Sequence, residues 1–235
     1  MRTILACTAV ALYLFLVAPP CLIWAWTTGR PNVLYTAGDI GIRLGFALAG
    51  ITVRLEGEAH ILPGAVFAAN HSSNVDSPAL YHALARLFPR MRVLYKAELR
   101  SLPFLGWVWD AAGWIPLERA NKDQSWPAVE RAAQALREGN AFFIFPEGTR
   151  SRTGALLPFK KGGFVMAIKA QAPVVPVAII GGRAAMRKGS ALIWPTTVTV
   201  TFMPPVQTTG MTVDDRSQVV AAVRGAIQAR LEGLR

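Results

Sequence analysis

"GAVFAANHSSNVDSP", residues 64–78, carries the reading on which the fold turns. Ala65–Ala69 is a short apolar run of strand length, and the polar residues after it cannot prolong a buried strand. The stretch closes on Asp76-Ser77-Pro78, and proline favours the first turn of a helix. The pattern is strand, loop, helix. It also sets His71 and Asp76 five positions apart. On one continuous helix that spacing is about 500° of rotation, which leaves the side chains roughly 140° apart and out of reach. They meet if His71 sits on the loop leaving the strand and Asp76 caps the next helix, with a bulge through Ser72–Val75 folding the carboxylate back against the imidazole. Held that way, the acid fixes the tautomer and stabilises the imidazolium, while the other ring nitrogen faces substrate as a general base. A surface loop with an ordinary N-cap aspartate has the same spelling, so the pair needs company.

Outward from this stretch, strands and helices take turns. "ITVRLEG" (51–57) alternates apolar and polar residues, and further strands are expected at 65–69, 92–96, 114–117, 141–145, 174–180 and 197–203. Helices are expected at 77–87, 99–111, 125–138, 162–170 and 213–233, with Ser125 as an N-cap, Gly139 as a stop, and Thr212 with Asp215 as a capping box. This alternation predicts an α/β fold, a mainly parallel mixed sheet flanked by helices. Chemistry in such sheets gathers beyond the carboxyl ends of the strands, where His71 falls.

The chain has 235 residues, enough for one sizeable domain, and 52% of them are hydrophobic. Much of the apolar excess lies in Thr3–Trp26, which contains no charged residue and is long enough for a bilayer span of about 20 residues. Pro19 and Pro20 are expected to kink or break a helix there, so a clean span and a broken, partly embedded helix both fit. No small-x-small cleavage site follows, which favours a retained anchor over a signal peptide. Trp24, Trp26 and Arg30 form an interfacial collar. Residues 32–50 are read as a second, interfacial helix. The expected organisation is therefore an N-terminal hydrophobic membrane-associated segment, 1–50, and an α/β domain, 51–235.

Lys and Arg total 25 against 14 Asp and Glu, a formal charge of +11 that favours polyanions. The basic residues are scattered and no nucleic-acid module is spelled, so beside a membrane anchor the expected phosphates are those of lipids rather than nucleic acid. Cys7 and Cys21 both lie in the apolar segment and make neither a disulfide framework nor a metal site.

Company for His71 and Asp76 comes from other carboxyl strand ends. "FPEGTRS" (145–151) follows the apolar strand and sets Glu147, Gly148, Thr149 and Arg150 on a loop. Gly148 permits an unusual backbone angle, and Arg150 offers a bidentate fork suited to phosphate. "KAELRSLPFLGWVWDAAGWIPLER" (96–119) places Lys96 and Arg119 at strand ends, and "PFKKGGF" (158–164) puts Lys160 and Lys161 before a helix. Each cation alone reads equally as solvated surface; together they suggest one anion site.

The motifs "NHSSNVD", "KAELRSLPFLGWVWDAAGWIPLER", "FPEGTRS" and "VVPVAI" resemble, in order and spacing, the four blocks of the glycerolipid acyltransferase family, over about residues 65–180. The 1-acylglycerol-3-phosphate acyltransferases are its best-known bacterial members. The resemblance implies that His71, oriented by Asp76, deprotonates the free hydroxyl of a lysophospholipid acceptor, which attacks an acyl thioester directly. It implies that Lys96 and Arg150 hold the acceptor phosphate, that Glu147, Gly148 and Thr149 shape that pocket, and that Arg119 is a weaker phosphate ligand. The acceptor would be lysophosphatidate or another lysolipid, and the donor acyl-CoA or acyl carrier protein. No metal or other cofactor is expected. The implied location is the cytoplasmic face of the cell inner membrane, among its phospholipids. A non-catalytic lipid-binding relative would have lost the dyad or the cations; His71, Asp76, Lys96 and Arg150 are all present.

Overall fold

The uncharged N-terminal run folds as one helix, α1 (Arg2–Thr28), in a computed structural model that describes residues 1–102, 105–118 and 122–233, and of 122–125 the backbone alone. The expected break at Pro19 and Pro20 does not occur. Each proline removes an N–H donor but holds φ near the helical value, and long apolar turns on both sides carry the helix through. α1 is apolar and long enough to cross a membrane, and only 11% of its most apolar window is buried.

Next come α2 (Asn32–Ala49), β1 (Ile51–Glu56), β2 (Val66–Ala69), α3 (Asp76–Ala83) and β3 (Met91–Lys96). After these lie α4 (Leu105–Ala111), β4 (Ile115–Leu117), α5 (Lys122–Arg137), β5 (Ala141–Ile144) and α6 (Gly162–Ala170). The chain ends with β6 (Val174–Ile180), α7 (Gly182–Ala185), β7 (Thr196–Phe202) and α8 (Arg216–Glu232). Among the described residues the strands form one seven-stranded sheet in the order β1-β7-β6-β2-β5-β3-β4. Every pairing is parallel except β6 with β7, so the sheet is mixed and mainly parallel.

Three helices differ from their expected extents, for local reasons. The helix expected at 77–87 tightens into a 3-10 turn over Ala85–Leu87, because Phe88 precedes Pro89 and is pushed to an extended backbone. The one expected at 99–111 divides into a 3-10 turn, Ala97–Ser101, and α4; Leu102, before Pro103, is likewise extended. α5 starts at Lys122, so Ser125 lies inside the helix and is not its cap. Thr212 and Asp215 do form their capping box, on the 3-10 turn that leads into α8.

Covered on both faces, β2 is buried at every position, as central parallel strands are. One face carries Phe67, Ala69, Val175, Val177, Val198 and Val200, packed under α3 and the α1–α2 hairpin, which contribute Leu80, Tyr35 and Ala6. The other carries Val66, Ala68, Phe142 and Ile144 under α5, α6 and α8. The hairpin is thus part of the core. Tyr35 is 1% exposed, and its hydroxyl lies 2.7 Å from the carbonyls of both Met91 and Ala112. Both ends of α1 are tied to the same body. Near its start Thr3 exchanges hydrogen bonds with the backbone of Ile193, and near its end Leu22 and Ala25 pack against Val108 and Ala111.

Candidate active site

β2 and β5 are neighbours, yet their chains leave toward opposite faces, one into α3 and the other into α6. Such a divergence opens a crevice beyond the strand ends. The first residue into it, Asn70, behaves as a spare peptide group. Its amide donates to Ile179 O and its carbonyl accepts from Ile179 N, at 2.9 and 2.7 Å, fastening the end of β2 to β6.

His71 is then held on every side. Its N–H donates to Glu147 Oε1 at 2.6 Å, and its carbonyl accepts from Ser151 N at 2.7 Å. The ring stacks on Phe145, centroids 4.1 Å apart. Nδ1 lies 3.0 Å from Asp76 Oδ2. That oxygen also accepts from Ser72 N and Ser73 N at 2.6 and 2.7 Å. Asp76 is therefore not the cap expected from the sequence. It is the first helical residue of α3, after Val75, and its carboxylate turns back over the loop that precedes it. An ionised carboxylate only accepts, so Nδ1 is the donor in this contact and Nε2 is the ring nitrogen left outside it.

Asp76 is fully buried, and its second oxygen, Oδ1, has no hydrogen bond. What it meets is Gly182, at the start of α7: a Cβ built there would lie 2.0 Å from Oδ1. Only glycine leaves room for the carboxylate in its present place.

The second loop is braced by Glu147 and by cations. Glu147 is 4% exposed, and its other oxygen accepts from Leu157 N at 2.9 Å. Burial pushes its carboxyl up, against the pull of the two N–H bonds. Both of its oxygens are committed to backbone N–H groups, so it braces the loop that carries Gly148, Thr149 and Arg150. Gly148 has φ +68°, and the Lys160 side chain lies where a Cβ would be, 2.9 Å from that position at Cε. Lys188 donates to Thr149 Oγ1 and to the Arg150 carbonyl at 3.2 and 2.8 Å, and Arg183 Nε donates to Arg152 O.

His71, Asp76, Glu147, Gly148, Thr149 and Arg150 thus belong to one hydrogen-bonded pair of loops. Lys96 stands at the carboxyl end of β3, beside β5, in an exposed pair with Glu98 at 2.9 Å. Arg119 lies outside the described residues. The sequence reading missed Asn70, Gly182, Arg183 and Lys188, and counted Lys160 among the cations of one anion site. The available signal was "GGRAAMRK" (181–188), two glycines and three cations directly after a strand.

Comparison with known proteins comes to the same place. Residues 52–180 match the family described as Acyltransferase. A 1-acyl-sn-glycerol-3-phosphate acyltransferase of Limnanthes douglasii is 34% identical over 209 residues, 88% of this chain and 72% of that protein. The 1-acyl-sn-glycerol-3-phosphate acyltransferase alpha of Homo sapiens is 32% identical over 181 residues, 75% of this chain and 62% of that one. The crystal structure of the 1-acyl-sn-glycerophosphate acyltransferase PlsC from Thermotoga maritima superposes with a TM-score of 0.78 at 25% identity, covering 100% of this chain and 98% of that chain.

Proposed function

The chain belongs to the acyltransferase family, and from that premise we propose that it moves a fatty acyl group from a thioester donor to the free sn-2 hydroxyl of 1-acyl-sn-glycerol 3-phosphate, giving phosphatidate. The observation that carries this reading is the His71–Asp76 contact, with Asp76 buried and receiving two further N–H bonds. His71 Nε2 takes the hydroxyl proton as the oxygen attacks the thioester carbonyl. The imidazolium formed is stabilised by Asp76, and its proton goes to the departing thiolate. One C–O bond forms and one C–S bond breaks, so the products are the ester and the free thiol, and no metal or further cofactor takes part.

Arg150, with Lys96, binds the acceptor phosphate; Gly148 and Thr149 set the loop's shape, and Lys160 and Lys188 add positive charge around it. The donor is acyl-CoA or acyl carrier protein, both acidic and suited to a chain of charge +11. The enzyme works at the cytoplasmic face of the inner membrane. Because both ends of α1 are tied to one body, the helix lies along that body, embedded in the membrane rather than crossing it.

Purified full-length protein incubated with a panel of lysolipids and both donor types, with products read by mass spectrometry, tests this reading. Phosphatidate formed from lysophosphatidate in preference to other lysolipids is the expected result; a product from lyso-ornithine lipid or another acceptor instead reassigns the substrate. His71→Ala should cost at least about a thousandfold in kcat with folding intact. Arg150→Lys should raise the acceptor KM about tenfold as a point charge replaces a fork.

A further inference from the structure

Beyond residue 50, six large apolar side chains among the described residues are well exposed: Leu99, Leu102, Trp107, Trp126, Leu192 and Trp194. Trp126 has the Lys169 ammonium 4.7 Å over its ring. The other five fall into two groups, each on a segment fastened to one end of α1. Trp107 lies on α4, whose Val108 and Ala111 pack against Leu22 and Ala25, and its ring is 6.4 Å from that of Trp26. Leu192 and Trp194 flank Ile193, which is bonded to Thr3.

The strand order sets the site between these groups. Leu99 and Leu102 follow the carboxyl end of β3, while Leu192 and Trp194 lead into β7, whose start lies at the carboxyl end of its antiparallel neighbour β6. β2 and β5, which carry His71 and the Glu147 loop, run between β6 and β3. Five of six exposed apolar side chains therefore bracket one site. An arrangement scattered by chance would not favour these two edges.

We propose that the two edges are lipid contacts of the catalytic body itself, seated in the interfacial layer of a phospholipid bilayer on either side of the site. The inference rests on the reading that the enzyme acts at a membrane. The occupant is a bilayer because both edges continue the exposed apolar surface of α1, where Phe15, Leu16, Trp24 and Trp26 stand out. Tryptophan favours that layer. The mouth of the site then faces the leaflet, and an acceptor reaches His71 without leaving the interface.

The test places single cysteines at Leu102, Trp194 and, as a control on the opposite side of the sheet, Gln218, in full-length chains carrying Cys7→Ala and Cys21→Ala. Each is labelled with an environment-sensitive fluorophore and mixed with vesicles of phosphatidylethanolamine and phosphatidylglycerol. Labels at 102 and 194 should be quenched by brominated lipid and protected from aqueous iodide at least about fivefold over the label at 218. Equal behaviour at all three positions overturns the proposal, and so does protection at only one edge. Protection that appears without vesicles and grows with protein concentration assigns the edges to a second copy of the chain, which also overturns it. The readout needs no turnover, so it stands apart from whether lysophosphatidate is the acceptor.

Discussion

Two histidine–aspartate pairs share this molecule. His71 and Asp76 meet at 3.0 Å; His82 and Asp39, joining α3 to α2, meet at 2.6 Å through the same ring nitrogen. By distance alone the outer pair is the closer. The surroundings separate them. The His82 and Asp39 side chains are 31% and 15% exposed, and their contact simply links two helices. Asp76 has no exposure, gathers two backbone N–H groups besides the imidazole, and abuts a glycine; the His71 ring is stacked, and its backbone is bonded on both sides. What sets the inner pair apart is how it is immobilised, just beyond the carboxyl end of β2. Proximity of the two side chains is the lesser part.

The strongest way to break the contrast is Asp76→Asn. The side-chain oxygen would stay with Ser72 N and Ser73 N and still accept from His71 Nδ1, with the NH2 in the place of Oδ1 beside Gly182, so the change removes the negative charge that faces the imidazole. kcat should fall by about a thousandfold or more with KM little changed; initial-rate kinetics showing only a small loss would mean that the carboxylate charge does not stabilise an imidazolium here. A smaller effect is expected from Gly182→Ala, which forces the carboxylate aside: about a hundredfold in kcat, as for a misplacement on the order of 1 Å. In an Asp76→Ala background the same change should cost nothing further, since the oxygen it displaces is gone, and an equal loss in both backgrounds would detach Gly182 from the dyad. The mildest is Asp39→Ala in the outer pair. It should leave activity within about twofold and lower stability by about 1 kcal/mol, measured by urea unfolding of the detergent-solubilised chain.

Elements with strong periodicity or clear punctuation were legible from sequence: the seven strands, the Gly139 stop, the Thr212–Asp215 box. What failed were local boundaries governed by proline. Phe88 and Leu102, each before a proline, cut helices that the apolar pattern alone prolongs. At the site, the spacing of His71 and Asp76 carried their meeting, because only a loop satisfies it. The partners of Glu147 were not legible, because its two N–H donors lie 76 and 10 residues away. Gly182 was illegible for the same reason: the atom that forbids a side chain there belongs to a residue over a hundred positions earlier in the chain.

Tyr35 imposes an order on biosynthesis. It leaves the ribosome well before Met91 and Ala112, whose carbonyls receive its hydroxyl, and Thr3 precedes its partner Ile193 by 190 residues. The hairpin's polar contacts with the body can therefore form only once the remainder has been translated, which makes its docking a late step of folding.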